Sequence, residues 1–172
     1  MIRQNATMTM ESWQQAPFEA QGGGTFSHPW TAAPAYIIPR FLMGVRPLED
    51  GWRRVAIRPL PPTDLESASI EVTTGRGLVK LSFVQSASHF AANVTIPGNT
   101  FAQVCLPQYL FASSTRGQGG PGQAGREQRN LTCPCLLDGK QVPSSANGGL
   151  QCLTDDLGGG EHAIVMTCEE LD

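Results

Sequence analysis

The chain has 172 residues, about two-fifths of them hydrophobic, and a net charge of −3. That suits one domain with an appendage, and it offers no basic face to track a phosphate backbone, so nucleic acid is excluded as a partner class. No apolar run approaches the roughly 18 residues of a membrane span, and the start, MIRQNATMTMESW, lacks the apolar core of a signal peptide.

In chain order, the first feature is Glu11, set between Met10 and Trp13 in the stretch TMTMESW. Alone it is one of fifteen acidic residues. Three glycines, Gly22 to Gly24, then lead into SHPW, which puts the titratable ring of His28 at the mouth of an apolar run. Residues 30–43 are nearly unbroken apolar and predict a helix. Pro34 fits its first turn, Pro39 should kink or shorten it, and Gly44 should end it. A helix apolar on all sides requires burial on all sides. Some forty residues cannot supply that layer, so this part reads as the end of something larger.

Past Gly51 the period changes from helix to strand. Strands are predicted over 52–58, 68–74, 78–84, 90–96 and 101–106. In 78–84, Val79, Leu81 and Phe83 share one face. The run 113–129 (SSTRGQGGPGQAGREQR) has no apolar anchor and predicts a flexible insertion. Residues 131–137 and 141–142 flank Asp138-Gly139, a hairpin signal. A last strand covers HAIVMTC, with Ala163, Val165 and Thr167 opposite Ile164, Met166 and Cys168. Short strands at this spacing predict an antiparallel β-sandwich.

Five cysteines leave at least one unpaired in a monomer. Four lie in the last forty residues, with His162 nearby. Cys133-Pro134-Cys135 has one intervening residue, where structural zinc sites have two to four. No metal or cofactor is predicted; buried thiols on strands are the simpler reading, with a disulfide at Cys152 or Cys168 left open. Asn5, Asn93 and Asn130 each begin an Asn-X-Thr glycosylation triplet, relevant only if the chain belongs to a longer secreted protein.

The series TMESW, GTFSHPWTAAPAY, LMGVRPLEDGWRRVAIRP, VTTGRGLVKLSF and VTIPGNT resembles the C-terminal end of bacterial-type α-L-rhamnosidases. The resemblance runs from about Ala6 to Cys168, omitting 113–129, and is most specific from Ser27 to Arg58. It implies a mainly β fold: an antiparallel β-sandwich over 45–172, preceded over 1–44 by one or two helices left from an (α/α)6 catalytic barrel. It implies that Glu11 is the general base of an inverting glycosidase and that His28 is a sugar ligand, with Trp13 and Trp30 as pocket walls or core. Met10 stands where the family often has Trp. Inverting hydrolysis needs two carboxyls about 6.5–9.5 Å apart, and the family's upstream general-acid segment has no counterpart here. Activity of this chain alone is therefore not expected, since lost general-acid assistance costs roughly 10²–10⁴-fold. The implied partners are a rhamnosylated glycoside and the upstream barrel. The alternative is a non-catalytic accessory or carbohydrate-binding sandwich. No compartment is assigned.

Overall fold

A computed structural model describes residues 29–86, 88–108 and 131–170. The chain enters through three short helical pieces where a single helix is expected. A 3₁₀ turn (Pro29–Ala32) runs into α1 (Ala33–Ile37), and that into a π-turn (Ile38–Leu42). Proline chemistry explains the sequence of forms. Pro34 sits in the first turn of α1, where a missing N–H costs nothing. The α-pattern ends when Ile38 N–H bonds to Pro34 O, because Pro39 has no N–H to continue it. The ladder resumes one residue longer, with Met43 N–H reaching Ile38 O at 2.9 Å.

Gly44 then turns the chain, at φ +67°. A Cβ here would lie 1.9 Å from the Arg58 carbonyl oxygen, so only glycine fits. Arg58 N–H bonds to Gly44 O, and Leu60 N–H to Leu42 O.

The protein is mainly β. The strands are β1 (Val45–Pro47), β2 (Arg54–Ile57), β3 (Ser67–Thr74), β4 (Gly77–Gln85), β5 (His89–Ile96), β6 (Phe101–Pro107), β7 (Leu131–Thr132), β8 (Cys135–Leu137), β9 (Lys140–Val142), β10 (Ser144–Asn147), β11 (Leu150–Leu153), β12 (Gly160–Thr167) and β13 (Glu169–Glu170). One sheet has the order β1-β2-β6-β11-β10; the other has β3-β4-β5-β12-β8-β9; β7 and β13 form a small ribbon. All pairings are antiparallel except β2 with β6, which run parallel from Arg54↔Phe101 to Ile57↔Val104.

The expected alternation holds. Val79, Leu81 and Phe83 of β4 are buried with Phe90, Ala92, Val94 and Ile96 of β5. Ile164, Met166 and Cys168 are the buried set at the last strand. Val55, Ile57, Val104 and Leu106 of the five-stranded sheet belong to the same core, and the Phe83 and Phe90 rings stack at 5.3 Å. Trp52 packs against this core.

Three details depart from expectation. Residues 131–137 form two strands, because Pro134 cannot donate to a ladder. β1 and the β10–β11 hairpin were not anticipated. Four of the five cysteines are paired, as Cys105–Cys152 and Cys133–Cys168; only Cys135 is a free thiol, and burial pushes its pKa up. The buried-thiol reading therefore holds for Cys135 alone. The predicted insertion at 113–129 lies outside the described residues.

Candidate functional site

The lead-in turns its apolar side chains outward. Tyr36, Ile37, Ile38 and Phe41 are 56, 48, 46 and 49 % exposed. The Tyr36 and Phe41 rings meet edge to face at 6.0 Å. The Arg40 guanidinium lies 5.4 Å from the Tyr36 centroid and 5.9 Å from that of Phe41, within cation–π range of both. Residues 36 and 40 are one helical turn apart, so this contact was available from spacing alone. The patch is fixed to the sandwich through buried Met43 and Val45 and the backbone bonds on either side of Gly44.

Of the residues expected to form a sugar site, Glu11, Trp13 and His28 lie outside the described residues. Trp30 is placed in the 3₁₀ turn directly ahead of α1.

Several carboxylates of the sandwich are already engaged. Asp156 accepts two bonds from the Arg54 guanidinium, at 2.5 and 3.0 Å, which raises the arginine pKa further. Glu71 pairs with Lys80 at 2.8 Å, raising the lysine pKa, and Glu49 pairs with Arg53 at 2.6 Å. Asp138 accepts the Ala163 N–H at 2.8 Å and faces His162 Nδ1 at 3.3 Å. The backbone hydrogen bond is the main cause of its lowered pKa; burial opposes it, and the histidine contact adds to it. Carboxylates held this way are acceptors, whereas a general acid must keep its proton near neutrality. Leu48, Glu49, Asp50 and Arg53 line only a shallow, open depression. Among the described residues no cluster of three His, Cys, Asp or Glu side chains is placed to hold a metal ion, and no helix is long and apolar enough to cross a membrane.

These elements define a class: a disulfide-linked β-sandwich of two main sheets, entered through a short helical segment with an outward apolar face. Residues 44–120 match the family model for the bacterial α-L-rhamnosidase C-terminal domain. Over that stretch the chain is similar to this family. An α-L-rhamnosidase of Alteromonas sp. (strain LOR) is 25 % identical over 125 residues, which cover 70 % of this chain and 14 % of that protein. The solved α-L-rhamnosidase of Dictyoglumus thermophilum superposes with a TM-score of 0.72 at 19 % identity, over 97 % of this chain and 17 % of that one. The Streptomyces avermitilis α-L-rhamnosidase, solved with L-rhamnose, gives 0.63 at 20 % identity, over 95 % and 14 %. At these identities the likeness is one of fold. The chain spans about one-seventh of the length of the Alteromonas relative.

Proposed function

We propose that this chain supplies the C-terminal part of an inverting α-L-rhamnosidase. Residues 1–44 close the catalytic barrel and 45–172 form the C-terminal sandwich. The intact parent removes terminal α-L-rhamnosyl groups from glycosides. Glu11 activates the attacking water as general base, His28 donates a ring N–H to a sugar hydroxyl, and Trp13 and Trp30 wall the pocket. The general acid comes from the upstream barrel.

The observation that carries this reading is the outward face at Tyr36, Ile37, Ile38 and Phe41, immediately ahead of the matched residues 44–120. An apolar helical segment fused to a well-buried sandwich fits a segment that completes another layer of helices.

The test is hydrolysis of an aryl α-L-rhamnoside by the chain alone and by the chain mixed with an upstream barrel half. Turnover is expected only on mixing, with a fall of about 10²-fold or more in Glu11→Gln. Rhamnose binding by residues 45–172 alone would remove His28 as the ligand and favour the accessory-module alternative.

A further inference from the structure

Of the three Asn-X-Thr triplets, Asn93-Val94-Thr95 lies wholly among the described residues, in the middle of β5. Its neighbours Ala92, Val94 and Ile96 are buried in the core. Strand alternation therefore sends Asn93 and Thr95 to the outer face of the six-stranded sheet, and Asn93 is exposed there. Asn93 lies opposite Ser82 of β4 on one side and Ala163 of β12 on the other. Ser82 in turn lies opposite Ser69 of β3. The row Ser69, Ser82, Asn93, Ala163 thus crosses four strands with short side chains, and the long side chains of Lys80 and Glu161 lie two residues along, opposite Thr95. The lead-in joins the other sheet, through β1. A second observation is independent of the motif: four cysteines are held in two disulfides. Such bonds form and persist in the oxidising compartments where N-linked glycans are also added.

We propose that Asn93 is an N-glycosylation site and that the folded sandwich carries its glycan on the outer face of the six-stranded sheet. The donor class is an oligosaccharide linked to a polyprenyl pyrophosphate, transferred by a host oligosaccharyltransferase. The Asn93 carboxamide nitrogen forms a bond to the sugar anomeric carbon and loses a proton. The bond from that carbon to the phosphate oxygen breaks, and the lipid pyrophosphate leaves with the electron pair. Thr95 supplies the hydroxyl that the transferase reads two residues on. Transfer takes place on the unfolded segment; the fold must then leave room for the product, which the short-side-chain row does.

The test is expression of the full chain behind a cleavable secretion leader in a eukaryotic cell, with Asn5→Gln and Asn130→Gln so that Asn93 is the only acceptor. Translation into microsomes gives the same readout if little is secreted. A single mass increment is expected, mapped to the peptide containing Asn93 and removed by peptide N-glycosidase. It should vanish in Asn93→Gln and in Thr95→Ala and persist in Thr95→Ser. The glycosylated form should be folded, with the melting transition of the unglycosylated chain. An unmodified Asn93 in folded, translocated protein overturns the proposal, as does a glycan confined to misfolded material.

Discussion

Phe41 and Phe90 are the same residue in two regions that obey opposite rules. Phe90 is fully buried and stacks on Phe83 across the β4–β5 pair. Phe41 is half exposed and meets only Tyr36 and Arg40 among described rings and cations. Both sit in apolar runs, so composition does not separate them. The difference is whether a covering layer lies within the chain. A strand of period two needs one apolar face covered, and the opposite sheet does this. The lead-in from residue 29 to 42 is largely apolar, and the sandwich covers its end, at Leu42 and the following Met43.

The largest effect expected from this contrast is in the core. Phe90→Ala should cost about 3–5 kcal/mol in urea unfolding, as a buried aromatic removed from a packed site. Phe41→Ala should cost about 1 kcal/mol or less, the scale of exposed ring and cation–π contacts. Its effect should appear instead in sedimentation, as weaker self-association, because it shrinks an exposed apolar patch. Equal losses of stability in the two variants would break the comparison.

The covalent links lie on the same side of the contrast. Cys105–Cys152 joins β6 to β11, paired neighbours in the five-stranded sheet, across 47 residues. In the chain-entropy account, closing a loop of that size is worth about 4 kcal/mol, and measured values are often lower. The double variant Cys105→Ala/Cys152→Ala should therefore lose about 2–4 kcal/mol in chemical unfolding. The lead-in is tied on by backbone bonds at Leu42 and Gly44, so its Tyr36 and Phe41 environment should change little in the folded double variant. A large change there would show that the five-stranded sheet positions the lead-in more tightly than these bonds imply.

The two regions were also unequally legible in the sequence. Alternation located β3 to β6 and β12 because a half-buried strand writes its burial into every second residue. Proline and glycine marked the ends of the lead-in correctly: α1 stops ahead of Pro39, and Gly44 sits where no Cβ fits. The π-turn was not readable, because it depends on which carbonyl Met43 reaches once Pro39 has failed to donate. β10 was missed because Ser144–Asn147 is a polar edge strand without alternation, although Asn147-Gly148 is a hairpin signal. The disulfide pairing was not readable either. Cys105 and Cys152 become partners only when β11 pairs with β6, a contact 47 residues apart in sequence. For the site, the sequence singled out Glu11 and His28 through a resemblance, and both fall outside the described residues.

The smallest effect expected separates the regions by charge. Residues 29–43 contain no carboxylate, so acid sensitivity should belong to the sandwich. Asp138 is a useful probe, since the Ala163 N–H, together with His162, holds its pKa below the ordinary value of 3.8. Its folded pKa lies under its unfolded one, so the folded state binds the proton less readily. The stabilisation is complete above the unfolded pKa and is lost as pH falls through the folded one. Asp138→Asn should therefore lower the melting temperature slightly at neutral pH, and the gap to the unaltered chain should close below about pH 4. The control lies in the backbone. Asp138 has φ +50°, a conformation asparagine tolerates well, so the substitution should not strain the turn. A gap that stays constant as pH falls would assign the effect to turn geometry, and a gap that widens would reverse the sign of the argument.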